Sequence, residues 1–141
     1  MCKNMCTMFL GMSAIMRSLF STLVADAMLV QERFAEGQEF CTLVEATSDL
    51  MLLPELLRVH AQLVGKAGGP SEERCALLER GVETAVVIGA TMMQLGCLAD
   101  LAELKPEVIE TKLRPCYTEY AKSGNLAYFQ AQKAARLLGL A

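Results

Sequence analysis

The chain repeats part of its own sequence at an offset of 34 residues. The stretch 23–45 matches the stretch 57–79 at 8 of 23 positions without a gap. The matched pairs are Leu23/Leu57, Ala27/Ala61, Leu29/Leu63, Val30/Val64, Glu39/Glu73, Cys41/Cys75, Leu43/Leu77 and Glu45/Glu79. A fixed period of this length is typical of helical-hairpin arrays, in which each hairpin buries its apolar face only against its neighbours.

Composition favours packing of helices and disfavours two classes of partner. Apolar residues make up 53% of the 141 residues and aromatic residues only 6%, and the abundant Leu, Ala and Met suit helices better than sheets. The net charge is -3, and Lys and Arg are scattered singly. The chain therefore lacks the basic patch that is typical of proteins that bind nucleic acid directly or bind an anionic membrane surface.

The cysteine pattern predicts buried thiols in a reducing compartment. The six cysteines are Cys2, Cys6, Cys41, Cys75, Cys97 and Cys116. None forms a CxxC pair, and His60 is the single histidine, so we expect neither a zinc site nor any other metal or cofactor. Cys41, Cys75 and Cys97 lie among apolar residues at helical spacing and are interpreted as small buried hydrophobes. Unpaired thiols of this kind are typical of a cytoplasmic protein.

Apolar periodicity and helix breakers predict about seven helices. Pro54 and Pro70 begin two of them, and Gly68 can end the helix between. Pro106 is expected to begin a sixth helix, which Pro115 should kink or split. We therefore predict an all-α fold, namely a tetratricopeptide-like array of antiparallel helical hairpins.

The sequence divides into a short N-terminal segment and the helical array. Residues 1–12 are predicted to be a flexible or fold-back N-terminal segment, and residues 13–141 a single helical domain. The apolar run from Met8 to Met16 is too short to span a bilayer, and Arg17 and Asp26 interrupt any longer window. Secretion is therefore not expected.

The sequence also resembles a known class of regulators over about residues 20–138. "LLPELLRVHAQLVGKAG" and "LLERGVETAVVIGA" are similar to the C-terminal tetratricopeptide-like region of bacterial signal-transduction ATPases, which are often joined to adenylate-cyclase or winged-helix transcription domains. The resemblance includes a typical ending, carried here by Leu113, Pro115, Tyr117, Tyr120, Gly124, Leu126, Ala134 or Ala135, Leu137 and Leu138. It implies a scaffold without chemistry. Glu32 stands where the family usually has glycine, and no phosphate-binding GxxxxGK[ST] loop is present.

In the tetratricopeptide register, the first helix of each hairpin lines a concave groove. The predicted groove residues are mostly apolar and are Thr22, Asp26, Leu29, Leu53, Leu56, His60, Leu63, Gln94 and Leu98. Asp26 and His60 occupy equivalent repeat positions, so we expect them to be neighbours that set the polarity of the groove. A polar pair on the groove surface is the simplest interpretation, and a binding contact is the alternative.

These features predict a non-catalytic protein–protein interaction module, either a free-standing adaptor or the C-terminal part of a larger regulator. A large, mostly apolar groove is not expected to stay exposed to water, so we expect another surface to bind in it. The alternatives are an amphipathic helix of another protein, the chain's own residues 5–16, or a second copy in a homodimer. A small-ligand-sensing regulatory domain is the second functional alternative, and a helical enzyme is the third.

Overall fold

The fold is all-α. The structure, a computed structural model, describes residues 13–46 and 51–141, and within those ranges it contains seven α-helices and no strand. They are α1 (Ala14–Val30), α2 (Phe34–Glu45), α3 (Leu53–Lys66), α4 (Ser71–Val87), α5 (Thr91–Leu104), α6 (Arg114–Ala121) and α7 (Phe129–Leu137), and a π-helical turn (Ile109–Leu113) directly precedes α6. The predicted N-terminal segment, residues 1–12, lies outside the described residues.

The helices pack as a series of hairpins. Each of α1 to α4 contacts the next helix along the chain, and the contacts of α4 with α3 and with α5 are the most extensive. The first helices of successive hairpins also touch, because α1 contacts α3, α3 contacts α5, and α5 contacts α7. The prediction of an all-α fold with about seven helices is confirmed over the described residues, and these contacts are those expected when helices pack as hairpins.

The core consists of two clusters that share α3. Ala25, Met28, Phe40 and Cys41 of the first hairpin pack with one face of α3, formed by Leu56, Val59 and Leu63. The other face of α3, formed by Leu57, Ala61 and Val64, lies in a larger cluster with residues of α4, α5 and the C-terminal helices. Helix α3 is therefore covered on two sides.

Two glycines mark the closest approaches between helices. A Cβ atom on Gly37 would lie 2.8 Å from Cδ2 of Leu63, and one on Gly81 would lie 2.8 Å from Sγ of Cys97. Any side chain at these positions would collide with a buried neighbour, so glycine allows α2 to approach α3 and α4 to approach α5.

Pro115 lies where the sixth helical segment changes from a π-helical to an α-helical conformation, and the kink or split expected at this residue stays a prediction. Its ring carries no N–H and would clash with the carbonyl of Thr111 in a regular α-helix. The chain forms the wider π-helical turn immediately before it, which relieves that clash. The predicted start at Pro106 was wrong, because Pro106 lies in a turn and the π-helical turn begins at Ile109.

Glu32 ends α1 in a backbone conformation that favours glycine. Its φ is 59°, and the following Arg33 donates its N–H to the carbonyl of Met28 at 2.9 Å, which closes the helix end. Three other helix ends place glycine in the same conformation: Gly68, Gly89 and Gly139. Glu32 therefore carries a local strain that a glycine would not.

Replacing Glu32 by glycine should stabilise the protein. We expect Glu32→Gly to raise the free energy of unfolding by about 0.5–1 kcal/mol, because relief of the left-handed strain exceeds the extra entropy of the unfolded chain. The reciprocal change, Gly89→Ala, should lower it by about 1 kcal/mol. Urea unfolding followed by circular dichroism measures both changes in the free energy of unfolding. A Glu32→Gly variant less stable than the wild type would contradict the backbone strain assigned to Glu32.

Candidate functional site

The predicted groove residues do not form one open surface. The structure buries four of them inside the molecule: Leu56, His60, Leu63 and Leu98. Thr22, Leu29, Leu53 and Gln94 are partly exposed, and Asp26 is exposed. The prediction of an exposed apolar groove was therefore wrong for the four buried residues, because α3 uses Leu56 and Leu63 to pack against the first hairpin.

His60 pairs with Glu45 of α2. Its Nδ1 atom lies 2.7 Å from Oε1 of Glu45, and Arg80 of α4 donates from Nη1 to Oε2 of the same carboxylate at 3.3 Å. The expected pairing of Asp26 with His60 was wrong, since His60 is buried beside Glu45 and Asp26 faces solvent. This polar group therefore links α2, α3 and α4.

Glu45 is held in its ionised form. Burial opposes that charge, but the hydrogen bonds from His60 and Arg80 and their electrostatic attraction outweigh burial and lower the pKa of Glu45 below its ordinary value of 4.5. A lowered pKa in the folded state means that the ionised carboxylate adds stability above pH 4.5. That stability is lost as the pH falls through the folded-state pKa.

The stabilising effect of Glu45 should therefore vanish in acid. We expect Glu45→Gln to lower the free energy of unfolding by about 1–2 kcal/mol at pH 7, because it removes a charged acceptor shared by two donors. At pH 3 the variant and the wild type should differ much less. Urea unfolding at both pH values measures this difference.

Glu79→Gln provides the control for this experiment. Glu79 is the repeat equivalent of Glu45 and pairs with Lys105 at 2.6 Å, but 43% of its side chain is exposed, against 13% for Glu45. Its effect at pH 7 should stay below about 1 kcal/mol. An equal loss at pH 7 and pH 3 for Glu45→Gln would contradict the role assigned to its charge.

Asp100 of α5 joins three helices through one buried carboxylate. Oδ2 accepts from Nη1 of Arg58 at 3.3 Å and from Nε2 of Gln62 at 3.0 Å, both on α3. Oδ1 accepts from Nζ of Lys133 on α7 at 2.8 Å, and Lys133 also contacts Glu103 at 2.8 Å. Asp100 therefore ties together the row of first helices α3, α5 and α7.

Arg58 keeps its charge although it is buried. Burial alone would lower the pKa of Arg58, but Glu55 and Asp100 together raise it. Glu55 receives two hydrogen bonds from the guanidinium, at 2.9 and 2.5 Å.

Removing Asp100 should cost much more stability than removing Glu103. Asp100→Ala leaves the buried Arg58 and the partly buried Lys133 each with one partner fewer. We therefore expect a loss of about 3 kcal/mol in the free energy of unfolding. Glu103→Ala is the control, because its side chain is 52% exposed and it should cost less than about 1 kcal/mol. Equal losses in chemical denaturation would refute the linking role of Asp100.

The thiols are structural in the part of the chain that the structure describes. Cys41, Cys75, Cys97 and Cys116 are buried and unpaired, which confirms the prediction for the first three. Burial raises the pKa of Cys41 and of Cys97 to about 12 and that of Cys116 to about 11. Thiols in this state form almost no nucleophilic thiolate at neutral pH.

Two surface depressions bear on the small-ligand alternative. One lies between α5 and α7 and is lined by Glu103, Phe129, Lys133, Arg136 and Leu137. The other is an apolar crevice lined by Ser18, Ser21, Leu52, Leu53 and Leu56. The first is open to solvent, and the second is too narrow to admit a water molecule, so neither encloses a ligand as binding cavities usually do. Ligand sensing stays a prediction.

Part of the exposed apolar surface lies along one side of α1. Met16, Leu19, Leu23, Ala27 and Val30 are all exposed and follow the spacing i, i+3, i+7, i+11 and i+14, which places them on one face of the helix. We call these five residues the α1 stripe. The opposite face of α1, which includes Ala25 and Met28, packs into the core. Helix α1 is therefore apolar on two faces and covered on one.

The sequence repeat shows what kind of surface the stripe is. Leu23 is 57% exposed and Val30 79%, whereas their repeat equivalents Leu57 and Val64 are 0% and 1% exposed. Ala27 is exposed too, and its equivalent Ala61 is buried. In α3 these residues form the face that packs on the following hairpin. The α1 stripe thus has the residues of a core face.

Comparison of the chain with protein-family models, with curated proteins and with solved structures finds no match. The protein can therefore be classified by its fold alone, which is all-α with helices that pack as hairpins. None of the helices in the described ranges is both long and apolar enough to cross a membrane. Over those same ranges, no three His, Cys, Asp or Glu side chains are grouped as metal ligands would be.

Proposed function

We propose that the chain is a non-catalytic protein–protein interaction module that presents the α1 stripe to a helical partner. The observation that carries the proposal is the exposure of Leu23, Ala27 and Val30, whose repeat equivalents are core residues. The largest apolar patch on the surface of a folded monomer, about 300–600 Å², is often a functional site. A helix with an apolar face spaced like the stripe is the partner that such a surface accepts best.

The polar groups support a scaffold better than an enzyme. His60 is engaged by Glu45, and the charged cluster around Asp100 is satisfied by bonds between helices. The four thiols in the described residues are buried, and none of them lies on the α1 stripe. These groups stabilise the array, so the array itself is available as a rigid frame for the stripe.

The resemblance to tetratricopeptide-like regions of bacterial regulators supports the wider setting. Together with the unpaired cysteines, it favours a cytoplasmic adaptor or a regulatory part of a signalling protein. In that setting the chain would bring a partner to a regulator by holding one of its helices against α1.

A photo-crosslinking amino acid at position 23 tests the proposal in cells. The full-length chain carrying p-benzoylphenylalanine in place of Leu23 should form a discrete protein adduct on irradiation. The same amino acid at Val86, which is equally exposed at 57% on α4, should not. Mass spectrometry identifies the adduct. No protein adduct at position 23, or the same adducts from both positions, would refute the proposed surface.

A further inference from the structure

We infer that the occupant of the α1 stripe is the α1 stripe of a second copy of this chain, packed antiparallel in a two-fold symmetric dimer. This inference rests on the proposed function and names its partner. It starts from the core character of the stripe. Since identical residues at Leu57, Ala61 and Val64 are buried by helices of this same fold, a helix of this fold has the shape and chemistry to cover Leu23, Ala27 and Val30.

The spacing of the stripe is self-complementary. Its five residues run from Met16 to Val30, a distance of 14 residue steps or about 21 Å along the helix. When two such helices lie antiparallel about an axis at Leu23, Leu19 of each faces Ala27 of the other, and Met16 of each faces Val30. A large side chain then meets a small one in both halves of the contact, as close helix packing requires.

The charges beside the stripe do not oppose this pairing. Thr22 is uncharged, and the stripe itself contains no ionisable residue. Arg17 and Asp26 are the ionisable residues of α1, and both lie outside the stripe. With the axis at Leu23, the two Asp26 residues lie three positions to either side of it, about 9 Å apart along the helices, so they do not meet at the centre of the dimer.

The area of the stripe predicts a weak dimer. The exposed parts of its side chains amount to on the order of 400 Å² per chain, the size of the largest apolar patch on a typical monomer. Two stripes with their flanking atoms bury about 1,000 Å², which is the lower limit for a specific interface. We therefore expect a dissociation constant in the micromolar range, about 1–100 µM.

Sedimentation velocity of the full chain from about 1 to 300 µM tests the inference. The wild type should shift from monomer to dimer across this range. The double variant Leu23→Lys/Val30→Lys should stay monomeric, or raise the dissociation constant at least tenfold, with unchanged helicity. The control Val86→Lys/Val87→Lys removes residues of the same exposure, 57% and 79%, from α4, and it should dimerise like the wild type.

Each other outcome overturns the inference. A wild type that stays monomeric at 300 µM excludes the dimer, and a dimer lost equally in both double variants uses another surface. If the stripe variant loses helicity, Ala27→Glu replaces it, since Ala27 is exposed. A variant that melts at a lower temperature as a monomer means that the stripe is covered within its own chain.

The failure of the dimer is distinguishable from the failure of the proposed function. The crosslink at position 23 gives an adduct of twice the chain mass if the second copy is the occupant. An adduct with a different protein at position 23 overturns the dimer and leaves the interaction module standing. The absence of any adduct overturns both.

Discussion

Burial of α3 on two sides is the constraint on which the rest of the structure depends. One face, with Leu56 and Leu63, closes the core of the first hairpin, and the other, with Leu57 and Val64, closes the core of the second and third. Its polar edge is occupied by Arg58, whose charge is balanced by Glu55 and Asp100. Because α3 belongs to both cores, the hairpins fold as one unit and the position of α1 is determined by α3.

The helices and their order were predictable from local signals. Pro54 lies in the first turn of α3, Pro70 directly precedes α4, and Gly68 ends the helix between them. Proline and glycine act within a single turn, so the sequence contains the information needed to place these boundaries. Pro115 indicated an irregularity in the sixth helix, and a π-helical turn lies directly before it.

Which face of each helix is covered was not predictable from those signals. Helix α3 is apolar on two faces, so the repeat register alone could not exclude an exposed Leu56 or Leu63. The bonds of His60 with Glu45 and of Arg58 with Asp100 join helices that are distant in sequence. Such pairs depend on how the hairpins stack, and a spacing rule within one helix contains no information about that.

The same repeat that predicted the fold also reveals the unusual feature of α1. Equivalent residues are buried in α3 and exposed in α1, so a core face is displayed on the surface. The polar clusters around Glu45 and Asp100 stabilise the contacts between hairpins, while the stripe remains available. In this account, stability and recognition use different faces of the first helices.

Thiol labelling at two equivalent positions tests this account most directly. Leu23→Cys and Leu57→Cys place the same group at repeat-equivalent sites, and maleimide labelling is followed peptide by peptide by mass spectrometry at low protein concentration. The account predicts that Cys at position 23 reacts rapidly in the folded protein and that Cys at position 57 reacts only when the protein unfolds. Equal protection of the two positions in the monomer would contradict it.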